Sequence, residues 1–303
     1  MQTLKSKIAN LKTSLEMRFF LKKYFRSIEE VNFNPVFIIG TNRSGTSITS
    51  YLLNQHPGLE GLYHGNMEIG KVESSGHVIG FNESNFIWSW LNTEKQQTQN
   101  TEVLEALWGH PAHISAFYRN YPASRREALQ LVNSVQRYRK TLKMPLIKDQ
   151  FNILRIGLIR SVFPRAKFIL VIREIPDYIR SCVHKWMGSE TKNEPAVGLH
   201  WLTLNNLAIY EMEKYAPGDY CVMNYQDYFE KPAVLQKRLA DVLAKLELSP
   251  HKFDLSQVKP EYRFLGAEVS KESIDFEIPA HIAKIESRLY AEMQKGKSTP
   301  RNR

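Results

Sequence analysis

The sequence is short of cysteine, of long apolar runs and of acid. Only Cys182 and Cys221 occur in 303 residues, too few for a disulfide framework. No apolar run approaches the roughly 18 residues that a membrane span needs. The N-terminal apolar residues are interrupted by lysines, unlike a secretory leader, so neither a signal peptide nor a Golgi-type anchor is expected. Asp and Glu number 31 against 41 Lys and Arg, leaving a net charge of +10. That deficit of acid points to anionic partners: nucleotides, sulfated or acidic glycans, nucleic acid or a membrane surface. Nucleic acid is the weakest of these, because the basic residues are dispersed and no recognition motif accompanies them.

What is present suits a large buried core. Apolar residues make up 43% and charged residues 24%, a globular and not a disordered balance. The chain is organised around Pro35-Val-Phe-Ile-Ile-Gly40-Thr-Asn-Arg43-Ser44-Gly45-Thr46-Ser47. Val36 to Ile39 reads as a strand buried on both faces. Gly40 and Gly45 bracket a polar loop, and the Ser/Thr residues after it open a helix with Ile48, Leu52 and Leu53 on one side. Strand, glycine loop and helix start together form a phosphate cradle, with loop N–H groups and the positive helix end aimed at an anion. The sequon Asn42-Arg-Ser44 falls inside this loop, where a glycan would block it, which favours a cytoplasmic setting.

Residues 1–30 read as a basic amphipathic helix, with Leu4, Ile8, Leu11 and Leu15 at helical spacing. Such a helix suits either an anionic membrane surface or, the preferred reading, packing on the body with a solvated basic face. Pro57 and Gly58 end the first loop's helix, and Leu59 to Tyr63 predict a second strand. Residues 70–143 form an aromatic- and histidine-rich insertion. In it, Ser124 and Glu127 make a capping box for a helix carrying Leu131, Val132 and Val135. His110 and His113 resemble a metal pair, but Pro111 breaks the helix that would align them, and no metal is expected.

Met144 to Ile147 predicts a strand ending at Lys148, and Asn152 a helix cap before Ile153 to Val162. Lys167 to Ile172 is the clearest buried strand and ends at Arg173, with Pro176 opening the next helix. A helix near Val197 to Lys214, a strand at Tyr220 to Asn224 and a helix from Ala233 to Leu246 follow. The alternation predicts an α/β fold: a three-layer, doubly wound, mainly parallel sheet with the phosphate loop after its first strand and helical insertions. The main domain spans 31–250, and 251–303 extend it to a frayed tail.

The loop departs from a nucleoside-triphosphatase loop in one telling way. Thr46 stands where Gly-x-x-x-x-Gly-Lys-Ser/Thr requires lysine, and Arg43 supplies the cation earlier. The best buried strand ends in Arg173, where a magnesium-holding site would want an aspartate. Arg43 near one glycine loop and Arg173 with Ser181 at the next strand end suit a ligand carrying phosphate at two ends.

These residues resemble the sulfotransferase family that uses 3′-phosphoadenosine-5′-phosphosulfate. One motif is Gly40-Thr-Asn-Arg43-Ser44-Gly45-Thr46-Ser47, followed by His56-Pro57. The other runs from Phe163-Pro164 through Arg173 to Asp177 and Ser181, and the likeness extends to Trp201 and Tyr225-Gln-Asp227. The resemblance implies that Arg43, Ser44, Gly45, Thr46 and Ser47 hold the 5′-phosphate end of the donor, and Arg173 and Ser181 its 3′-phosphate. It implies sulfuryl transfer to an acceptor hydroxyl or amine, adenosine 3′,5′-bisphosphate as product, and no metal. Relatives place a glutamate base about seven residues beyond the His-Pro pair. That position is His64 here, a competent base near neutral pH; Glu68 is the second candidate, with Glu60 nearer but less well placed. Lys148 matches the lysine of a family segment and is a candidate contact for the sulfuryl group or acceptor.

The acceptor expected is a small molecule, glycan or glycolipid, its pocket shaped by 70–143. A P-loop kinase or NTPase and a non-catalytic anion-binding protein remain the alternatives. The site expected is cytoplasmic, with peripheral membrane contact through 1–30 as an option.

Overall fold

The computed structural model describes residues 33–62, 71–72, 78–79, 84, 125–182, 194–229, 231–256 and 258. Five strands form one parallel sheet: β1 (Val36–Ile39), β2 (Leu59–Gly61), β5 (Met144–Lys148), β6 (Lys167–Ile172) and β7 (Tyr220–Asn224), in the order β2-β5-β1-β6-β7. The short strands β3 (Lys71–Val72) and β4 (Val78–Ile79) pair antiparallel in a separate hairpin. That hairpin lies in the insertion, where sequence periodicity gave no strand.

The β-branched apolar runs become central strands because both faces of each are covered. Phe37, Ile39, Phe168, Leu170 and Ile172 face one side. There they meet α2 (Arg125–Tyr138), α3 (Ile156–Val162), α4 (Ile175–Cys182) and α5 (Glu194–Tyr215). Val36, Ile38, Ile169 and Val171 face the other side, against α1 (Thr46–Leu53) and α6 (Pro232–Lys245). Alternation at a period of two thus builds three layers, the fold class expected from the sequence.

Most element boundaries match expectation to within a residue or two. Asn152 is the exception. It lies within a tight 3₁₀ turn, Gln150–Leu154, and α3 begins only at Ile156, after Arg155. Asn152 N–H bonds the Asp149 carbonyl and Arg155 N–H bonds the Asn152 carbonyl, each at 3.0 Å, so three-residue spacing replaces a capped α-turn. Arg155 is buried with Asp149 at 3.5 Å, a contact that local helix propensity does not encode. Ser124 and Tyr63 lie outside the described residues, as do residues 1–30 and the tail beyond 258. Among the described residues no helix is long and apolar enough to cross a membrane.

β1 sits in the middle of the sheet, and the loops after β1 and β6 emerge side by side at the strands' C-terminal edge. In open α/β sheets ligands bind in the crevice outside the strands' C-terminal ends, where neighbouring loops diverge.

Candidate active site

The loop after β1 is shaped by two glycines with different duties. A Cβ at Gly40 would stand 2.6 Å from the Val171 carbonyl oxygen of β6, so only glycine lets β1 leave the sheet this close to its neighbour. Gly45, at φ 95°, opens α1, and a Cβ there would strike the Tyr225 ring. Between them Thr41 to Ser44 makes a turn, Ser44 N–H to Thr41 carbonyl at 3.2 Å. Arg43 adopts φ 64° in it. A left-handed arginine costs on the order of 1 kcal/mol or more, so surrounding contacts must hold it. The Thr41 and Ser44 hydroxyls bond each other across the turn.

The turn aims Arg43 at the next strand end. Arg43 Nε donates to Ser181 Oγ at 3.1 Å, and Arg173 donates from one terminal nitrogen to the Arg43 carbonyl at 3.2 Å. The three residues that the sequence assigned to opposite ends of a ligand therefore form one cluster. Arg173 is held from both sides. Its guanidinium lies over the Tyr225 ring at 4.5 Å, a cation–π contact, and its carbonyl accepts from Trp201 Nε1 at 2.8 Å.

Neither guanidinium forms an ion pair among the described residues. The nearby acid, Asp177, bonds Arg180 at 3.1 Å and Gln226 at 3.0 Å. Arg173 Nε is buried without a hydrogen-bond partner among the described residues. Burial lowers both arginine pKa values, and Arg173 lowers that of Arg43 further as a neighbouring positive charge. Both remain charged at neutral pH, since an arginine begins so far above it. A buried Arg173 and a part-buried Arg43, neither ion-paired among the described residues, beside a helix start are an arrangement that suits an anion.

The other loop residues divide by exposure. Ser47 is exposed, Thr46 is buried, and Ser44 is fully buried with its hydroxyl turned inward to Thr41. Thr49, one turn into α1, bonds the Gly45 carbonyl at 2.9 Å and the Tyr228 hydroxyl at 2.6 Å, tying the helix start to the turn after β7.

Lys148 ends β5 beside β1 and is 4% exposed. Its backbone N–H bonds Ser84 Oγ at 3.1 Å, and that hydroxyl donates to the Leu62 carbonyl at 2.7 Å. Ser84 thus staples the ends of β2 and β5. Of the base candidates, His64 and Glu68 lie outside the described residues. Glu60 is committed elsewhere: its carboxylate accepts from the Lys140 and Thr141 N–H groups and the Thr141 hydroxyl at 2.7 to 3.0 Å, before β5 begins. The histidine pair at 110 and 113 also lies outside.

A model of the sulfotransferase family matches residues 35–250, the span that carries the sheet and both arginines. The chain belongs to the sulfotransferase family. A Caenorhabditis briggsae relative named "Putative protein-tyrosine sulfotransferase" is 22% identical over 244 residues, covering 74% of this chain and 76% of its own. The crystal structure of sulfotransferase STF9 from Mycobacterium avium has a TM-score of 0.50 at 13% identity. It covers 91% of this chain and 80% of its own, a likeness of fold. As a sulfotransferase, the chain is an enzyme whose α/β sheet presents its glycine loop at the strands' C-terminal edge.

Sequence reading gave no role to Tyr225, whose ring abuts Gly45 and carries the Arg173 guanidinium. Tyr225 enters the sequence reading only within the Tyr225-Gln-Asp227 likeness. Tyr178 and His200 are buried on α4 and α5, the phenol 3.0 Å from the imidazole Nδ1. Nothing in their local pattern separates them from core. Cys182 itself is inert, its thiol pushed up to about 12 by burial.

Proposed function

We propose that this sulfotransferase takes 3′-phosphoadenosine-5′-phosphosulfate as donor and passes its sulfuryl group in line to an acceptor hydroxyl or amine. The observation that carries this reading is the cluster beside the glycine loop in which Arg43 bonds Ser181 and Arg173 bonds the Arg43 carbonyl, neither arginine ion-paired among the described residues. Arg173, with its buried Nε, and Ser181 suit the 3′-phosphate. Arg43, the loop N–H groups and the start of α1 suit the 5′-phosphate, where they stabilise charge developing on the leaving group. Arg43 releases Ser181 to do so, which frees both groups for the two phosphates. Ser44 contributes through the loop's shape, its hydroxyl being turned inward.

When bound, the donor supplies an activated sulfuryl group on a phosphate leaving group. His64, or Glu68 in its place, takes the acceptor proton as general base. Lys148, at the adjoining strand end, contacts the sulfuryl group or the acceptor. The insertion at 70–143 forms the acceptor pocket. A carbohydrate or glycolipid acceptor suits the chain's positive charge. The name of the C. briggsae relative adds a tyrosine phenol to the acceptors worth testing.

Adenosine 3′,5′-bisphosphate is expected to raise the melting temperature, and Arg43→Ala to remove the shift. No shift at millimolar ligand sinks the donor assignment. Magnesium-dependent ATP turnover would point instead to a P-loop kinase, a reading opposed by Thr46 and Arg173. Binding of the bisphosphate with no labelled transfer to acidic polysaccharides, glycolipids or tyrosine peptides would favour a non-catalytic anion binder.

A further inference from the structure

We propose that Tyr228 is a positioning residue for the donor: its phenol locks the turn after β7 onto the start of α1 and thereby sets the separation of the two phosphate subsites. The inference rests on the donor reading above.

β7 pairs with β6 and not with β1. Yet the 3₁₀ turn that follows it, Tyr225–Phe229, reaches past the end of β6 to the glycine loop. Residues three apart in such a turn share a face, and here they are Tyr225 and Tyr228. The Tyr225 ring carries the Arg173 guanidinium at 4.5 Å and abuts Gly45, where an added Cβ would strike it. One ring therefore spaces the arginine of the 3′-phosphate end from the loop of the 5′-phosphate end. Packing alone would let that ring tilt, and Tyr228 adds a directional bond. Thr49 spends its hydroxyl proton on the Gly45 carbonyl at 2.9 Å, so its oxygen accepts from the Tyr228 phenol at 2.6 Å. The Met223 sulfur, 3.6 Å from the phenol, is the weaker acceptor. Thr49 and Tyr228 are both buried, where water does not compete and a hydrogen bond is stronger than at the surface.

The rest of the turn is fastened elsewhere. Gln226 Nε2 donates to Asp177 Oδ2 at 3.0 Å on α4, the helix that carries Ser181, and Asp227 meets Arg238 of α6 at 3.5 Å. The Tyr228 phenol is the hydrogen bond that carries this fastening across to α1. It thus joins the helix of the 5′-phosphate loop to the turn that backs the 3′-phosphate groups. A ligand with phosphates at two fixed ends needs both subsites at one separation, and pre-formed separation improves binding without any new contact. A ligand with a single phosphate has no such need. Tyr228 touches no phosphate in this arrangement and acts through Thr49 and Tyr225.

The test compares two ligands by calorimetry, adenosine 3′,5′-bisphosphate and adenosine 5′-monophosphate. Tyr228→Phe removes the hydroxyl and keeps the ring. It is expected to weaken the bisphosphate about tenfold and to leave the monophosphate within about twofold of wild type, a split that general loosening of the fold would not produce. Thr49→Ser keeps the hydroxyl and is expected to keep the bisphosphate affinity, whereas Thr49→Val loses it. The double variant Tyr228→Phe/Thr49→Val is expected to bind the bisphosphate no worse than Thr49→Val, because both remove the same bond. Bisphosphate affinity in Tyr228→Phe within about twofold of wild type overturns the proposal. So does an equal loss for both ligands, or a double variant whose loss is the product of the two single losses. Should Tyr228→Phe not fold, the contrast between Thr49→Val and Thr49→Ser decides alone. Wild-type protein that does not bind the bisphosphate overturns the donor reading first and this inference with it.

Discussion

At the edge where the strands begin, Lys167 reaches Glu247 at 2.6 Å and Arg160 meets Asp219 at 3.2 Å. Arg160 also donates to the Tyr215 and Ala166 carbonyls at 2.8 and 2.9 Å, and Glu60 caps the Lys140–Thr141 backbone. At the edge where the strands end, Arg173 lies more deeply buried, and neither it nor the part-buried Arg43 has a carboxylate partner among the described residues. The same residue type is thus spent on architecture at one edge and held open at the other. Burial makes the second arrangement expensive, since a desolvated charge without a counter-charge destabilises the fold. The cost is tolerable only where a ligand supplies the missing anion.

Removing one cation from each edge tests this contrast most sharply. Arg173→Ala is expected to reduce bisphosphate affinity on the order of 100-fold, the loss of charge-assisted hydrogen bonds worth about 3 kcal/mol. Ligand-free stability should change little or rise, because a buried unpaired charge has gone. If calorimetry finds affinity intact, the open edge is not the anion site. Gly45→Ala should strike at both properties at once. The added methyl meets the Tyr225 ring and the φ of 95° is unfavourable for alanine, so about 2 kcal/mol of stability is lost along with nucleotide binding.

The third effect concerns acid. His200 is buried and neutral, its pKa lowered to about 3 from 6.5 by desolvation. Its native pKa lies below the unfolded value, so the unfolded chain binds the extra proton as pH falls below 6.5, and stability drops. Between pH 7 and pH 5 this amounts to about 2 kcal/mol. His200→Gln should flatten that part of the stability profile in urea titrations; an unchanged slope would show that His200 is not the group responsible. The smallest effect belongs to the paired edge. Arg160→Ala should lower stability by about 1 to 2 kcal/mol through its lost carbonyl bonds and leave bisphosphate affinity unchanged.

The sequence made the sheet legible because Val36–Ile39 and Phe168 to Ile172 are apolar throughout and rich in β-branched residues, a pattern that suits a doubly covered strand. The phosphate loop was legible for a different reason. Gly40 and Gly45 answer to backbone clearance, and their spacing survives as a readable signature. Arg43, Arg173 and Ser181 were found as separate motif members, but their direct contact depends on β1 and β6 being neighbours, which no local pattern states. Asn152 misled because it is a good helix cap by local chemistry, while the buried Arg155 and Asp149 impose a tighter turn. Tyr178 and His200 escaped because a buried phenol and a neutral imidazole have the same periodicity as the apolar residues around them.

The placement of β1 between β5 and β6 also governs when the site comes into being. Val36 pairs with Leu146 on one side and with Lys167 on the other, so the first strand must wait for segments more than 100 residues away. Contacts of such long range are slow to form, because chain closure must precede any gain from pairing. Gly40 and Arg43 hang from a strand that has no partners while the chain is being synthesised. A nascent chain stopped before Ile172 would carry the entire glycine loop and yet hold no nucleotide. Binding should appear abruptly, once β6 has emerged and Arg173 has closed against the Arg43 carbonyl.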